Sequence, residues 1–427
     1  MNYRGKFLLA TISAGIALYA VIGGILGTQA QQPINDVGAQ IRIFESVLQH
    51  IQNDYVDEPD LEKVKNGALR GLPAGLDPYS SYLTPEQVQD FQNNKNSKKV
   101  GIGAEFSQVS SYLYVISVTK GSPADQAGIM AGDVIEYIGK KATRDISLYD
   151  AKQLILGDPG TKVDLRVLRT GTKPQTISVS RGAFQTPAAE GRIEDGKIGV
   201  VKVFSLASGE SKDIRDQVQT LMKQDVQKIV LDLRGVAGGD LNEAVEVANI
   251  FIKQGNLAQV IGQEEKVLKT FAADPSKFLF GGDLAVLIDL GSAGASEAVA
   301  SALLEAKRAE IVGEKSFGAG TQQELFPLSR GGGLYLTVAK WASPTGKTFL
   351  GKDRTNSGVK PTVEVKRPET PEPIEVEELV DKQDDEDQDQ PSVEQPEKTT
   401  RPAPSNEDIQ LKKALEILRD KAAAAKA

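Results

Sequence analysis

The spacing of hydrophobic and polar positions changes several times along the chain, and each change predicts a different kind of structure. From Gly196 onward, short apolar runs rich in β-branched residues alternate with longer amphipathic stretches. This alternation is typical of a layered α/β domain, which we place at 186–366. Strands are predicted at 198–203, 228–233, 284–288 and 310–312, and helices at 210–223, 242–252 and 296–306.

The segment before this domain has a different pattern. Between 96 and 185, short strand-like runs such as Leu113–Val118 and Val163–Val167 are separated by glycines, which predicts a β-rich module with little helix. Earlier still, an N-terminal helical segment is predicted at 36–95. Its first helix carries one apolar face, formed by Ile41, Phe44, Leu48 and Ile51.

The N-terminus has the features of a membrane anchor. Arg4 and Lys6 precede an uncharged apolar run over 7–27. Its 21 residues would span roughly 31 Å as a helix, which matches a bilayer core. We therefore expect a single-pass signal anchor within 1–31, with the body in the periplasm or another extracytoplasmic space. A cleaved signal peptide is the alternative, because Thr28-Gln29-Ala30 is an acceptable cleavage site.

The composition changes again after the α/β domain. Segment 367–404 contains many prolines around the acidic cluster Asp381–Asp389, and it has too few apolar residues to form a core. It is predicted to be a disordered linker.

A final helix is predicted at 405–427. Ser405 is its expected N-cap and Asp408 its capping-box residue. Its apolar stripe could dock on the body, on a second copy or on another protein, and consists of Leu411, Leu415 and Leu418.

Composition and charge exclude several classes of function. The 427 residues are 40% hydrophobic and 25% charged, and the formal net charge of -8 argues against nucleic acid as a partner. The absence of cysteine excludes disulfides, thiolate metal sites and a cysteine nucleophile. The only histidine, His50, falls beside the apolar face of its helix, where an ordinary helix residue is the simpler interpretation. No metal or cofactor is implied.

A glycine-rich motif and a second motif that follows it resemble a PDZ domain. The second motif contains Ser122-Pro123-Ala124, expected to begin the helix that lines the peptide groove, and Gly132-Asp133, expected to turn into the next strand. The resemblance implies that amides of the first motif bind the C-terminal carboxylate of a peptide or unfolded protein. That motif consists of Gly101, Ile102, Gly103, Ala104, Glu105 and Phe106.

The same order of motifs continues through the α/β domain. Asp232-Leu233-Arg234, Gly291–Glu297 and Gly313–Gly320 follow one another. Together with the PDZ-like module, this order resembles the carboxyl-terminal processing peptidases, also called tail-specific proteases, from about Gly38 to Val365. The resemblance implies a Ser–Lys dyad, in which lysine removes the proton of the attacking serine hydroxyl.

The dyad residues themselves are missing. Alignment on the flanking motifs puts Gly294 at the nucleophile position, Ala319 at the base position and Gln323 at the position that orients the base. Glycine has no hydroxyl and alanine has no amine, so only the orienting residue is present. By analogy with the family, the oxyanion hole would be formed by backbone amides at Gly238, Gly239 and Ala295.

We therefore predict an exported, proteolytically silent relative that binds peptide C-termini and acts beside an active relative or alone. One alternative is an active endopeptidase that uses Ser292 or Ser296 as a displaced nucleophile and Lys315 as its base. A simpler interpretation is that Ser292 bonds within its turn, Ser296 caps the next helix and Lys315 is a solvated charge. A second alternative is a non-enzymatic envelope scaffold.

Overall fold

The computed structural model describes residues 37–93, 98–329, 331–367 and 407–424. The predicted anchor at 7–27 and almost all of the predicted acidic linker lie outside these residues. Within the described ranges, no helix has both the length and the apolar character needed to cross a membrane.

The chain divides into two units, 1–68 and 69–427. In the first unit, the helix predicted at its start is confirmed as α1 (Val37–Asp54), and none of its residues is buried. His50 lies on the exposed surface, with its Nδ1 2.6 Å from the Asp54 carboxylate one turn later. The elements that follow along the chain are α2 (Leu61–Ala74), β1 (Ser81–Leu83) and α3 (Pro85–Asn93).

The module predicted to resemble a PDZ domain is an antiparallel sheet with the strand order β2-β3-β4-β6-β7, and β5 pairs with β4. Its elements are β2 (Ala104–Val109), β3 (Tyr112–Val118), α4 (Pro123–Ala127), β4 (Val134–Ile138), β5 (Lys141–Ala142), α5 (Leu148–Ile155), β6 (Lys162–Leu168) and β7 (Gln175–Ser180). Ser122 caps α4 by accepting the Asp125 N–H at 3.3 Å, and the turn at Gly132-Asp133 leads into β4 as predicted.

The second domain contains the predicted α/β alternation. Each of the four strands and three helices that the pattern predicted is present, with ends shifted by at most one residue. The elements are β8 (Glu190–Glu194), β9 (Ile198–Lys202), α6 (Glu210–Met222), β10 (Lys228–Asp232), α7 (Leu241–Phe251), β11 (Asn256–Ile261), β12 (Val267–Ala272), β13 (Asp283–Ile288), α8 (Ala295–Glu305), β14 (Glu310–Gly313), β15 (Thr321–Pro327), β16 (Gly333–Ala342) and β17 (Val363–Glu364).

These strands form two sheets. The central sheet has the order β17-β14-β13-β10-β9-β8 and is parallel except for β8. The other sheet has the order β1-β16-β11-β12, with β15 also paired to β16. Because β10, β13 and β14 are parallel, their carboxyl ends lie at the same edge of the central sheet, where the predicted site residues follow them.

Both faces of the central sheet are covered, as is usual for parallel sheets. Alternate residues such as Ile229 and Leu231 pack against α6, α7 and α8, while Val230 and Leu287 face the opposite way. That second face is covered by the C-terminal helix α9 (Ile409–Ala424), in which Ala414 and Leu418 are fully buried.

Of the three partners considered for the C-terminal helix, the body of the same chain is the one observed. Ser405, the predicted N-cap, lies outside the described residues. The capping-box role predicted for Asp408 was wrong, because its carboxylate accepts the Leu411 N–H at 3.0 Å, which is the contact of an N-cap residue. Asp408 also accepts from Arg234 at 2.7 Å, and Gln410 donates to the Val365 carbonyl at 2.8 Å. Helix α9 is therefore held by polar contacts at its start as well as by its apolar stripe.

Candidate active site

The turn at the predicted nucleophile position joins β13 to α8. Gly294 there has φ 65° and ψ −108°, a conformation that L-residues rarely adopt. A sharp, strained turn between a strand and a helix is the setting in which a nucleophilic serine is exposed in other hydrolases. A Cβ at this position would lie 3.3 Å from the Gly238 carbonyl oxygen and 3.6 Å from Cζ3 of Trp341. The turn is therefore as sharp as expected for the predicted nucleophile position, and its residue has no hydroxyl.

One buried carboxylate joins this turn to the loop that contains the base position. Glu297, in the first turn of α8, is fully buried. Burial raises its pKa, and the hydrogen bonds that it accepts act in the opposite direction. Oε1 accepts from Ser316 Oγ at 2.5 Å and Gly318 N at 2.8 Å, while Oε2 accepts from Gly294 N and Ala319 N, both at 2.8 Å. Positions 294 and 319 thus converge on a single oxygen atom.

Gln323 follows the predicted base position by four residues, and Ala319 at that position has no amine for it to orient. Its amide nitrogen donates to Thr321 Oγ1 at 2.6 Å and to Thr337 Oγ1 at 3.2 Å. Thr337 Oγ1 in turn donates to the Asp77 carboxylate at 3.1 Å. Gln323 therefore belongs to a polar network between β15, β16 and the segment that precedes β1.

The three predicted oxyanion residues are brought together, but in this conformation one of them is already engaged. The Ala295 N–H donates to the Gly238 carbonyl at 3.1 Å. The amides of Gly238 and Gly239 have no acceptor within the part of the chain that the structure describes. A Cβ on Gly239 would lie 2.7 Å from the Leu206 carbonyl oxygen, so only glycine fits there. An oxyanion hole formed by these residues remains a prediction.

The PDZ-like module packs directly against this site. Ile116 of β3 shares an apolar cluster with Ala293 and Phe317. Tyr114 stacks on the Phe317 ring with 5.8 Å between ring centroids, and the Arg354 guanidinium lies 3.9 Å from the centroid of the same ring. The loop that leads to Ala319 is therefore shaped by contacts with β3.

The predicted carboxylate-binding loop is formed and has free donors. Gly103, at φ 80°, leaves no space for a side chain, because a Cβ would lie 2.7 Å from the Phe184 ring. Its carbonyl accepts from Thr119 N at 2.9 Å, and the Ile102 carbonyl accepts from Ala124 N at 2.8 Å. Among the described residues, the amides of Ile102 and Gly103 have no acceptor. These two amides are the donors that a terminal carboxylate would use.

The helix beside this loop differs from the predicted one. Helix α5, not α4, lies along β2, because Gln108 Nε2 donates to the Ile146 carbonyl at 2.8 Å and Glu105 lies 3.9 Å from Lys152 Nζ. The Glu105 carboxylate also lies 3.4 Å from the position that a Cβ on Gly238 would occupy. The exposed Glu105–Lys152 pair thus spans the groove between β2 and α5, and Glu105 also reaches the loop of the predicted oxyanion residues.

Comparison with known proteins identifies the family. The model of peptidase family S41 matches residues 197–365, and the PDZ domain model matches residues 114–169. A probable CtpA-like serine protease of Staphylococcus aureus (strain MSSA476) is 33% identical over 356 residues, which cover 82% of this chain and 70% of the relative. This chain belongs to peptidase family S41, among the C-terminal processing peptidases with a PDZ domain.

Two further comparisons agree with this membership of S41. The carboxy-terminal processing protease CtpA of Bacillus subtilis (strain 168) is 29% identical over 363 residues, covering 85% of this chain and 77% of the relative. The structure of a photosystem II D1 C-terminal processing protease is 26% identical, with a TM-score of 0.63 over 76% of this chain and 86% of that chain.

The remaining polar residues near the S41 turn have structural partners. Ser292 Oγ donates to the Leu233 carbonyl at 2.9 Å and accepts from Asp289 N at 3.0 Å, so it stabilises its turn as predicted. The capping role predicted for Ser296 was wrong, because α8 begins one residue earlier and Ser296 Oγ donates to the Val236 carbonyl at 2.8 Å.

Lys315 also differs from its prediction as a free surface charge. Its Nζ donates to the carbonyls of Arg354 and Thr355 at 2.7 and 2.9 Å. Burial lowers its pKa, and the nearby positive charge of Arg354 lowers it further.

Sequence reasoning did not find two of the residues that organise this S41 site, Glu297 and Trp341. Glu297 was present in the matched motif. The sequence did not indicate that its carboxylate accepts four hydrogen bonds, because the donors lie up to 22 positions away. Trp341, on β16, lies 47 positions after Gly294, and only the tertiary structure brings its ring to 3.6 Å from the Cβ position of Gly294.

Proposed function

We propose that this protein is a proteolytically silent S41 homologue that binds the C-termini of unfolded proteins or peptides outside the cytoplasm. The observation that carries the proposal is the pair of residues held together by Glu297. Gly294 occupies the turn suited to a nucleophile without a hydroxyl, and Ala319 occupies the base position without an amine. Nucleophilic catalysis by a Ser–Lys dyad needs both groups.

The geometry of the neighbouring serines disfavours a displaced nucleophile. Ser292 and Ser296 are fully buried, and each donates its hydroxyl hydrogen to a backbone carbonyl of the 233–236 segment. An attack by either oxygen would break these bonds and move the reacting atom away from the position that the turn presents. A displacement of about 1 Å already slows such chemistry steeply.

The binding half of the proposal depends on the PDZ domain. The unpaired amides of Ile102 and Gly103 lie next to β2, whose outer edge pairs with no described strand. A peptide that adds to this edge would place its terminal carboxylate at these amides. Because β2 and β3 also reach the site around Gly294, a bound C-terminal tail would lie beside the silent site. Binding there would either protect the tail from an active relative or present the tail to it.

The test uses the purified protein and an unfolded polypeptide with an apolar C-terminus, supplied with a free or an amidated terminal carboxylate. We expect no cleavage above the blank, and retention that is lost on amidation. An active S41 peptidase serves as the positive control for cleavage. Cleavage that is abolished by Ser292→Ala or Ser296→Ala would overturn the silent assignment. Retention that is indifferent to amidation would overturn the capture of C-termini.

The proposed location outside the cytoplasm is tested separately. A reporter that folds only outside the cytoplasm, fused after residue 427, is expected to be active with residues 1–31 present and inactive without them. Equal activity in both fusions would contradict export through this segment.

A further inference from the structure

A second candidate binding site lies on the other side of the Gly294 turn from the PDZ domain. It is a pocket of about 210 Å³ between α7, the β11–β12 hairpin and β16. Pockets that hold drug-sized ligands are larger, roughly 300–1,000 Å³, so this one is suited to a single side chain. Its lining is mixed: five residues are apolar, among them Leu241, Leu268 and Trp341, and four are polar, among them Asp240, Lys269 and Gln322.

Trp341 forms a wall between this pocket and the silent site. The benzo edge of its indole faces the turn, since Cζ3 lies 3.6 Å from the Cβ position of Gly294 and Cε3 lies 3.1 Å from that of Gly320. Its Nε1–H is buried and has no hydrogen-bond partner among the described residues. A buried donor without an acceptor is costly and uncommon in native proteins, and it is a common sign of a missing partner.

The strand that forms the mouth of the pocket has a free edge. β12 is the last strand of its sheet, and no described strand pairs with its outer side. Val267 and Leu268 on this strand are exposed by 50% and 54%. Free edges with exposed apolar side chains are places where an extended chain adds by backbone pairing.

We propose that this pocket binds one apolar side chain of an extended polypeptide that pairs with the free edge of β12. In this pairing, a carbonyl of the bound segment accepts a hydrogen bond from the Trp341 N–H. This inference rests on the proposed function, because it assigns a second contact to the same unfolded polypeptide, upstream of the terminus held by the PDZ domain. The occupant is recognised by an internal apolar residue and not by a carboxylate.

Trp341 is the only tryptophan in the chain, so its fluorescence reports on this pocket without a label. The probes are two short, uncharged peptides, acetylated and amidated at their ends, with leucine or serine at the central position. We expect a saturable change in Trp341 emission with the leucine peptide and about tenfold weaker binding of the serine peptide, since burying a leucine is worth about that factor or more.

Two matched variants locate the contact. With a dye-labelled leucine peptide, fluorescence anisotropy is expected to show at least threefold weaker binding by Leu268→Ala and no change for Val267→Ala, its neighbour on β12 that does not line the pocket. Trp341→Phe, which keeps an aromatic ring but removes the N–H, should weaken binding to a similar extent.

The inference is overturned if both peptides bind equally, if Trp341 emission does not respond, or if both β12 variants behave alike. The peptide comparison uses the unaltered protein, so it decides the matter even if a variant fails to fold. Failure of the proposed function would look different. Cleavage of either peptide would contradict the silent assignment, while retention that depends on a free carboxylate is measured at the PDZ domain and does not require the pocket.

Discussion

The buried carboxylate of Glu297 gives the sharpest test of how this site is held together. In Glu297→Gln, the side chain keeps its shape and one acceptor oxygen, but an NH₂ group then faces two of the four donors. A buried polar group left without a partner costs about 1–3 kcal/mol. We therefore expect the free energy of unfolding to fall by about 2–4 kcal/mol. That is a large part of a typical domain stability of about 5–15 kcal/mol.

Urea unfolding followed by Trp341 fluorescence measures this loss in the domain that contains Glu297, with an unchanged dependence on denaturant concentration. The matched control is Glu246→Gln, which removes a half-exposed pair with Lys277 at 2.6 Å. A pair of this kind is worth about 0–1 kcal/mol. Hydrogen exchange at the amides of Gly318 and Ala319 should accelerate in Glu297→Gln alone. If Glu297→Gln is no more destabilising than the control, the carboxylate does not hold the two positions together.

Three further predictions concern the turn, the groove and the C-terminal helix. Gly294→Ala should lower the free energy of unfolding by about 1–2 kcal/mol, because φ is positive there, and equal stability in urea would contradict this. Lys152→Ala should strengthen binding of a labelled C-terminal peptide by up to about fivefold in anisotropy titrations, because it removes an exposed pair with Glu105 worth at most about 1 kcal/mol. Weaker binding by the variant would count against a pair that closes the groove. Burial would raise the pKa of Asp408, but hydrogen bonds from Arg234 and the backbone lower it overall. The stability this contributes is therefore complete above the ordinary carboxyl pKa of about 3.9 and is lost as pH falls below it. Hydrogen exchange in α9 should rise over that range, and Asp408→Asn should reduce this pH dependence.

The coarse architecture was predictable because it depends on local patterns. Alternating apolar runs predicted the strand at 228–233 and the helix at 242–252 nearly to the residue. Hydrophobic periodicity and the positions of glycines depend only on residues that are neighbours in the sequence. The PDZ and S41 assignments followed from motifs in order. The prediction that the dyad is absent also came from the sequence, because glycine at 294 and alanine at 319 have neither a hydroxyl nor an amine in any fold.

The internal partners of the site were not predictable in this way. The shift of the helix start from Ser296 to Ala295 is small in sequence, but it changes the serine from a cap to a donor towards Val236. Likewise, α5 and not α4 lies along β2, because pairing between distant strands decides which helix faces that edge.

What the sequence alone determined about this protein is therefore its family, the order of its elements and the presence of glycine at 294 and alanine at 319, on which the proposed loss of the dyad rests. Only the tertiary structure decided that Glu297 joins positions 294 and 319, that the Ala295 amide is engaged by Gly238, and that α9 returns to cover the sheet. The physical reason is that these contacts join residues far apart in the chain. The packing of the layers determines which residues come into contact, and the local hydrophobic periodicity of the sequence carries no information about those contacts.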